Sequence, residues 1–288
     1  MTQDRDINFY SDLLACHQYA LVDRVFTSEQ TLEKIPVIPL IPSRVSSDAD
    51  QMPALMPLDA PYMPRLAARM KAGETDPSCN PIDTLIAVAP HITQKRLVSH
   101  LTSRLIFFSP GGKKGYLRYF SSDIFPHLLR ILPPTGLKNL FGQRGEVLNW
   151  TYRFQDTWNT VSAPTVAEGV HAAWIISREQ YAALEIVGEV NEVLDAYREK
   201  MDRPWKDIAE WDEKACVIEL AIGYAQRIYH LSAPIDLKAF AMHALAYGEH
   251  FHKYRAIQQI LRDTAPHPGA YHAATSKLTD NEWAVIAV

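Results

Sequence analysis

The tract IPVIPLIPSRVSSDADQMPALMPLDAPYMP, residues 35–64, carries seven prolines in thirty residues. Each proline lacks a backbone N–H, and its ring clashes with the preceding helical turn, so no long helix can run through this region. In a sheet the same residue is confined to edges, bulges and strand starts. The tract therefore reads as extended or looping chain with short edge strands at most, PALMPLD (Pro53–Asp59) among them.

Around the tract the hydrophobic pattern alternates between two periods. YALVDRVF (Tyr19–Phe26) and DTLIAVAP (Asp83–Pro90) read as strands, the second short, apolar and bounded by turn formers. KAGETDPSCNPI, residues 71–82, reads as an exposed loop. Thr93 is placed to cap a helix whose Leu97, Val98, Leu101 and Leu105 share one face. RLIFF and GYLRYF then flank SPGGKKGY. Ser121 or Ser122 is placed to cap a second helix, with Ile124, Phe125, Leu128, Leu129 and Leu132 at helical spacing and Pro133-Pro134 as its stop. A short helix from Thr135 ends at Gly142, and VLNWTYRF (Val147–Phe154) alternates as a strand. Residues 1–155 are thus expected to form an α/β (α+β) lobe, a mixed sheet with flanking helices.

The second half changes character. Residues 156–176 read as a polar linker with a candidate last strand, AAWII (172–176). Residues 177–288 read as a mainly α-helical lobe. Ser177 and Gln180 form a capping box ahead of a helix marked by Leu184, Val187, Val190, Leu194 and Tyr197. Further helices are expected over 213–230 and 235–262, with Pro234 and Asp236 at the start of the latter.

A net charge of −4 over 288 residues gives no basic footprint for nucleic acid or an anionic membrane. Cys16, Cys79 and Cys216 are too few and too widely spaced for a disulfide framework or a zinc site. No cofactor motif appears. MTQDRDINFYSDLL lacks the apolar core of a signal peptide, and no apolar run is long enough to span a bilayer. A cytoplasmic location is expected.

Four features bear on chemistry. GGKKG has neither the spacing nor the following Ser or Thr of a phosphate loop, and GYLRYF after it is a strand former, so it reads as a hairpin tip. Its glycines, Gly111, Gly112 and Gly115, are expected to supply positive φ angles. Of the late histidines, His243 and His250 share a helical face with Glu249 beside it, the basis of an alternative reading as a hydrolase or metal-dependent enzyme. Cys16 and Cys216 lie among apolar neighbours and read as small core residues. Trp150, Trp158, Trp174, Trp205, Trp211 and Trp283 serve either as core or, in part, as interface anchors.

The order of these segments resembles a known family. The strand ending in Arg118-Tyr119-Phe120, the helix IFPHLLRIL, then LKNLFG and the strand bearing Trp150 are similar to the type VI secretion effector chaperones, the family called domain of unknown function 4123. YALVD (Tyr19–Asp23), the unit from Ala89 to Leu105, WIISREQYAAL and AQRIYHLSAPIDLKAFAMHALAYGEHF fall in the expected order. Members often carry Asp-Pro after the arginine-aromatic-aromatic step; here Ser121-Ser122 stand there, with Asp123 next. The resemblance implies a non-enzymatic cytoplasmic adaptor that binds a cognate secreted effector and helps load it onto the spike protein or spike-tip (proline-alanine-alanine-arginine repeat) domain. It further implies a helical lobe that varies with cargo. Arg118, Tyr119, Phe120, Asp123, Trp150, Trp205 and Trp211 are the expected structural or partner-binding residues.

Overall fold

The computed structural model describes residues 7–25, 27, 35–43, 49–59, 61–74, 76, 82–112, 114–165, 174, 176–264 and 267–286. The chain divides into two compact units, Met1–Tyr181 and Ala182–Val288. The first is a sheet flanked by helices and the second is helical, the α+β-then-α order read from the sequence.

The first unit contains α1 (Ile7–Ala15), β1 (Tyr19–Val22), β2 (Ile38–Pro39), β3 (Ala54–Pro57), α2 (Met63–Ala72), β4 (Thr84–Val88), α3 (Gln94–Arg104), β5 (Ile106–Phe108), β6 (Lys114–Tyr116), α4 (Phe125–Ile131), α5 (Pro134–Phe141), β7 (Val147–Phe154) and β8 (Thr157–Ser162). Six strands form one sheet in the order β2-β3-β1-β4-β7-β8, and β5 with β6 forms a separate hairpin. The proline tract supplies the margin: β2 is two residues long and includes Pro39, as expected of an edge. Within α2, Pro64 sits in the first turn, where its missing N–H costs nothing.

Every pairing in the main sheet is antiparallel, which corrects the expected mixed sheet. The reason is topological. β3 and β4 run the same way and are joined through α2, as a parallel crossover would be. β1 lies between them and pairs antiparallel with both, so the would-be parallel pair becomes two antiparallel ones.

Both faces of the sheet are covered. Ala20, Val22, Met56 and Leu85 face one way and join Tyr10 and Leu14 of α1 and Leu66, Ala67 and Met70 of α2. Thr84, Ile86, Trp150 and Tyr152 face the other way, in register across β4 and β7. A sheet covered on both faces reads as near-continuous apolar runs, and β1 and β4 do so.

The interval read as a linker contains β8, which pairs along β7 from Phe154↔Thr157 to Asn149↔Ser162. Its sequence TWNTVS lacks the apolar alternation of an interior strand because it is the outer edge. Of AAWII, Trp174 and Ile176 are not in a strand, and residues 172, 173 and 175 lie outside the described residues. Thr93 caps α3 as expected, its hydroxyl accepting from Arg96 N at 3.4 Å. Neither serine caps α4, whose N-cap is Ile124. Ser121 instead forms the preceding turn, its carbonyl accepting from Ile124 and Phe125 N.

The second unit follows from α6 (Arg178–Glu185), which crosses the boundary, into α7 (Val187–Met201), α8 (Ile208–Tyr229), α9 (Pro234–Tyr247), a 3-10 turn at Phe251–Lys253, α10 (Arg255–Thr264), α11 (Ala270–Thr275) and α12 (Asp280–Ile286). The capping box forms reciprocally: Ser177 N donates to Gln180 Oε1 at 2.9 Å and Gln180 N to Ser177 Oγ at 3.2 Å. The helix expected over 235–262 breaks at Gly248, whose φ of 86° ends α9 in a conformation that costs glycine little. Asp202 and His230 end α7 and α8 in the left-handed region. Val190, Val193, Leu194, Ala215, Ile218, Ile222, Leu237, Phe240, Phe251, Ile257, Leu261 and Tyr271 are buried here. Among the described residues no helix is long and apolar enough to cross a membrane.

Candidate functional site

The segment Arg118-Tyr119-Phe120 leaves β6 and runs beneath the sheet face that carries Trp150. Tyr119 is fully buried, and its hydroxyl donates to the Leu101 carbonyl of α3 at 2.8 Å. Burial holds that phenol well above its usual range. The Phe120 carbonyl accepts from Thr84 Oγ1 of β4 at 2.9 Å, which ties the segment to the sheet. Arg118 Nη2 meets Asp23 Oδ2, just past β1, at 2.6 Å, and its guanidinium lies 5.8 Å from the Phe120 ring centre.

Trp150 is the hub of this layer. Its ring stacks on Phe125 of α4 at 4.9 Å and meets Tyr119 and Phe141 edge-on at 5.6 and 5.8 Å. The apolar spacing of α4 and α5 places these rings together, since Phe125, Leu128, Leu140 and Phe141 are among the buried positions of those helices. Nearby, Glu146 accepts from Arg96 Nη2 at 2.7 Å and from Arg144 N at 3.0 Å, contacts that hold its carboxyl below the usual range against the opposing effect of burial.

Of the seven expected partner-binding residues, five are therefore core. Tyr119, Phe120 and Trp150 fill the first unit, while Trp205, stacked on Tyr197 at 6.2 Å, and Trp211 are buried in the second. Their burial gives these five the structural role of the two expected, each ring packed inside its own unit. Arg118 remains partly accessible and Asp123 is exposed. Cys16 is also exposed, contrary to its apolar sequence context.

The late histidines separate. His250 and Glu249 line a cleft of about 260 Å³ together with Leu220, Tyr224, Phe240 and His252. His243 points elsewhere: its Nδ1 lies 2.9 Å from Tyr271 Oη, and its ring packs 4.4 Å from Trp283. The three groups expected to converge thus do not. Among the described residues no set of three or more His, Cys, Asp or Glu is placed to hold a metal ion. The cleft's apolar wall escaped the sequence reading, although VIELAIGY carries more apolar residues than one buried helical face needs, leaving Leu220 exposed.

These histidines have a consequence for stability. Burial lowers the pKa of His17, His100, His243 and His252, with His243 pushed down to about 4 by burial and by the neighbouring His272 and Lys200. The unfolded chain, with histidine near 6.5, binds more protons than the folded one below that pH. Stability should therefore fall as pH drops below about 6.5, ahead of the main titration of the carboxylates near 4. Urea midpoints measured at intervals across this window check it, and a midpoint that stays level or rises on acidification contradicts it.

Compared with family models, with curated proteins and with solved structures, the chain matches none.

Proposed function

We propose that this chain is a non-enzymatic adaptor that binds a specific type VI secretion effector in the cytoplasm and helps load it onto the spike protein or its tip domain. The observation that supports the reading is the convergence of the residues behind the family resemblance. Tyr119, Phe125, Phe141 and Trp150 come from four separate segments and pack as one cluster in the first unit. Residues that build a scaffold are expected to meet in its core, and residues that carry catalysis are expected to meet in a cleft. The first pattern is the one present. The hydrolase alternative gains nothing from the geometry, since His243 is bonded to Tyr271 away from Glu249 and His250.

The test is co-expression with the toxin encoded beside this gene. The adaptor should co-purify with that toxin, and deleting it should abolish secretion of the toxin while leaving unrelated cargo secreted. A toxin that stays equally soluble and equally secreted in the deletion strain removes the adaptor reading.

A further inference from the structure

The β5–β6 hairpin is built around one close contact. Gly115 lies against Phe107, and a Cβ at that glycine would fall 2.2 Å from the ring, so the glycine is required for space. Positive φ is supplied by Gly112 alone of the three tip glycines, which corrects the expectation for Gly111 and Gly115. Phe107 faces inward, 6.1 Å from Tyr181. The opposite face of the hairpin carries Ile106, Phe108, Lys114 and Tyr116, with Phe108 53% and Tyr116 37% exposed.

The register also fixes where the backbone groups point. Leu117 N donates to the Leu105 carbonyl, so Leu105–Leu117 and, two residues on, Phe107–Gly115 are the hydrogen-bonded pairs. Lys114 and Tyr116 then turn their N–H and C=O groups away from β5. Among the described residues none supplies a backbone partner to these outward groups of β6. The hairpin is a two-stranded sheet on its own, the arrangement that a third strand stabilises most.

We propose that the outer edge of β6 accepts an extended segment of a partner protein, added antiparallel as a third strand. The side chains facing it define that segment. Residues opposite Lys114 and Tyr116 share their face, so the segment reads, from its N-terminus, apolar–any–acidic: an apolar side chain against Tyr116 and a carboxylate against Lys114. A lysine on a free edge also turns away neutral or basic strands, which gives the edge selectivity as well as an opening. The inference rests on the adaptor reading only for who supplies the strand.

The probe is an acetylated eight-residue peptide, Val-Thr-Glu-Thr repeated twice, added to the full-length protein while amide exchange is followed residue by residue. The amides of Lys114 and Tyr116 should slow by on the order of tenfold at saturation, the scale of one newly made backbone hydrogen bond. Lys114→Glu should weaken this peptide by about threefold and favour its Val-Thr-Lys-Thr counterpart, as expected of one cross-strand ion pair. Tyr116→Pro removes an outward N–H without touching the Phe107–Gly115 pair, and should abolish the protection while those two amides stay protected. If that variant loses the hairpin, the charge reversal decides. The proposal is overturned if neither amide slows, if Ile106 and Phe108 slow instead, or if edge protection rises with protein concentration alone, which would assign the edge to a second copy of this chain. Cargo that co-purifies while the peptide leaves the edge untouched defeats this inference and spares the adaptor; the converse defeats the adaptor alone.

Discussion

Trp150→Ala should cost the first unit about 3–5 kcal/mol, the range for removing a large buried aromatic. The side chain is fully buried between Phe125, Tyr119 and Phe141, so its removal leaves a cavity walled by rings from α4, α5 and the segment after β6. These walls are anchored: Tyr119 is hydrogen-bonded to Leu101, and the Phe120 carbonyl to Thr84, so they cannot collapse freely into the space. The expected result is a large fall in the urea midpoint of the sheet unit, with near-ultraviolet circular dichroism reporting loosened aromatic packing. Trp150→Phe should cost distinctly less. The indole N–H is buried and has no hydrogen-bond partner among the described residues, so phenylalanine gives up volume and none of their bonds. A loss below about 1 kcal/mol for the alanine variant would place Trp150 outside the core and reopen its reading as an interface anchor.

The second large effect is expected in the helical unit. Asp236, 1% exposed in the first turn of α9, accepts from Gly269 N at 2.7 Å and from His272 N at 2.8 Å. It thereby caps α11 from another helix, a service that α11, six residues long and begun by Gly269, does not obtain from its own N-cap side chain. Asp236→Ala leaves two amides, of a half-buried and an exposed residue, without their acceptor, at about 1–1.5 kcal/mol each. A total of about 2–3 kcal/mol is expected, with Asp236→Asn intermediate because one acceptor oxygen remains. Amide exchange should show Gly269 and His272 among the first protected sites to open. If their exchange and the unfolding midpoint are both unchanged in the alanine variant, the cap carries no stability.

The candidate sites were less legible than the fold. Trp150, Trp205 and Trp211 look alike in sequence as core residues and as interface anchors, because both uses need the same large amphipathic ring. Only burial separates them. His243 and His250 share a face, with Glu249 nearby but off that line, only on a helical wheel drawn for one uninterrupted helix. Gly248 breaks that helix, and the later residues leave the face on which His243 sits. A glycine just past an apolar helical run is the usual stop signal, so the break itself was readable from AYGEH.

What the sequence by itself determined was local. The strand β7, the Thr93 cap, the Ser177–Gln180 box, the absence of a long helix among the described residues of the proline tract before Met63, and the hairpin at GGKKG each depend on groups within a few residues of one another. Backbone sterics, side-chain alternation and capping act at that range, and they leave their mark in neighbouring letters. The tertiary structure alone decided that β1 separates β3 from β4, that polar TWNTVS completes the sheet as its edge, and that Asp236 serves amides 33 and 36 residues away. It also decided that His17 Nε2 meets Thr151 Oγ1 across 134 residues of chain. Such contacts are selected by which groups a packed core brings within reach, and that choice belongs to the whole chain.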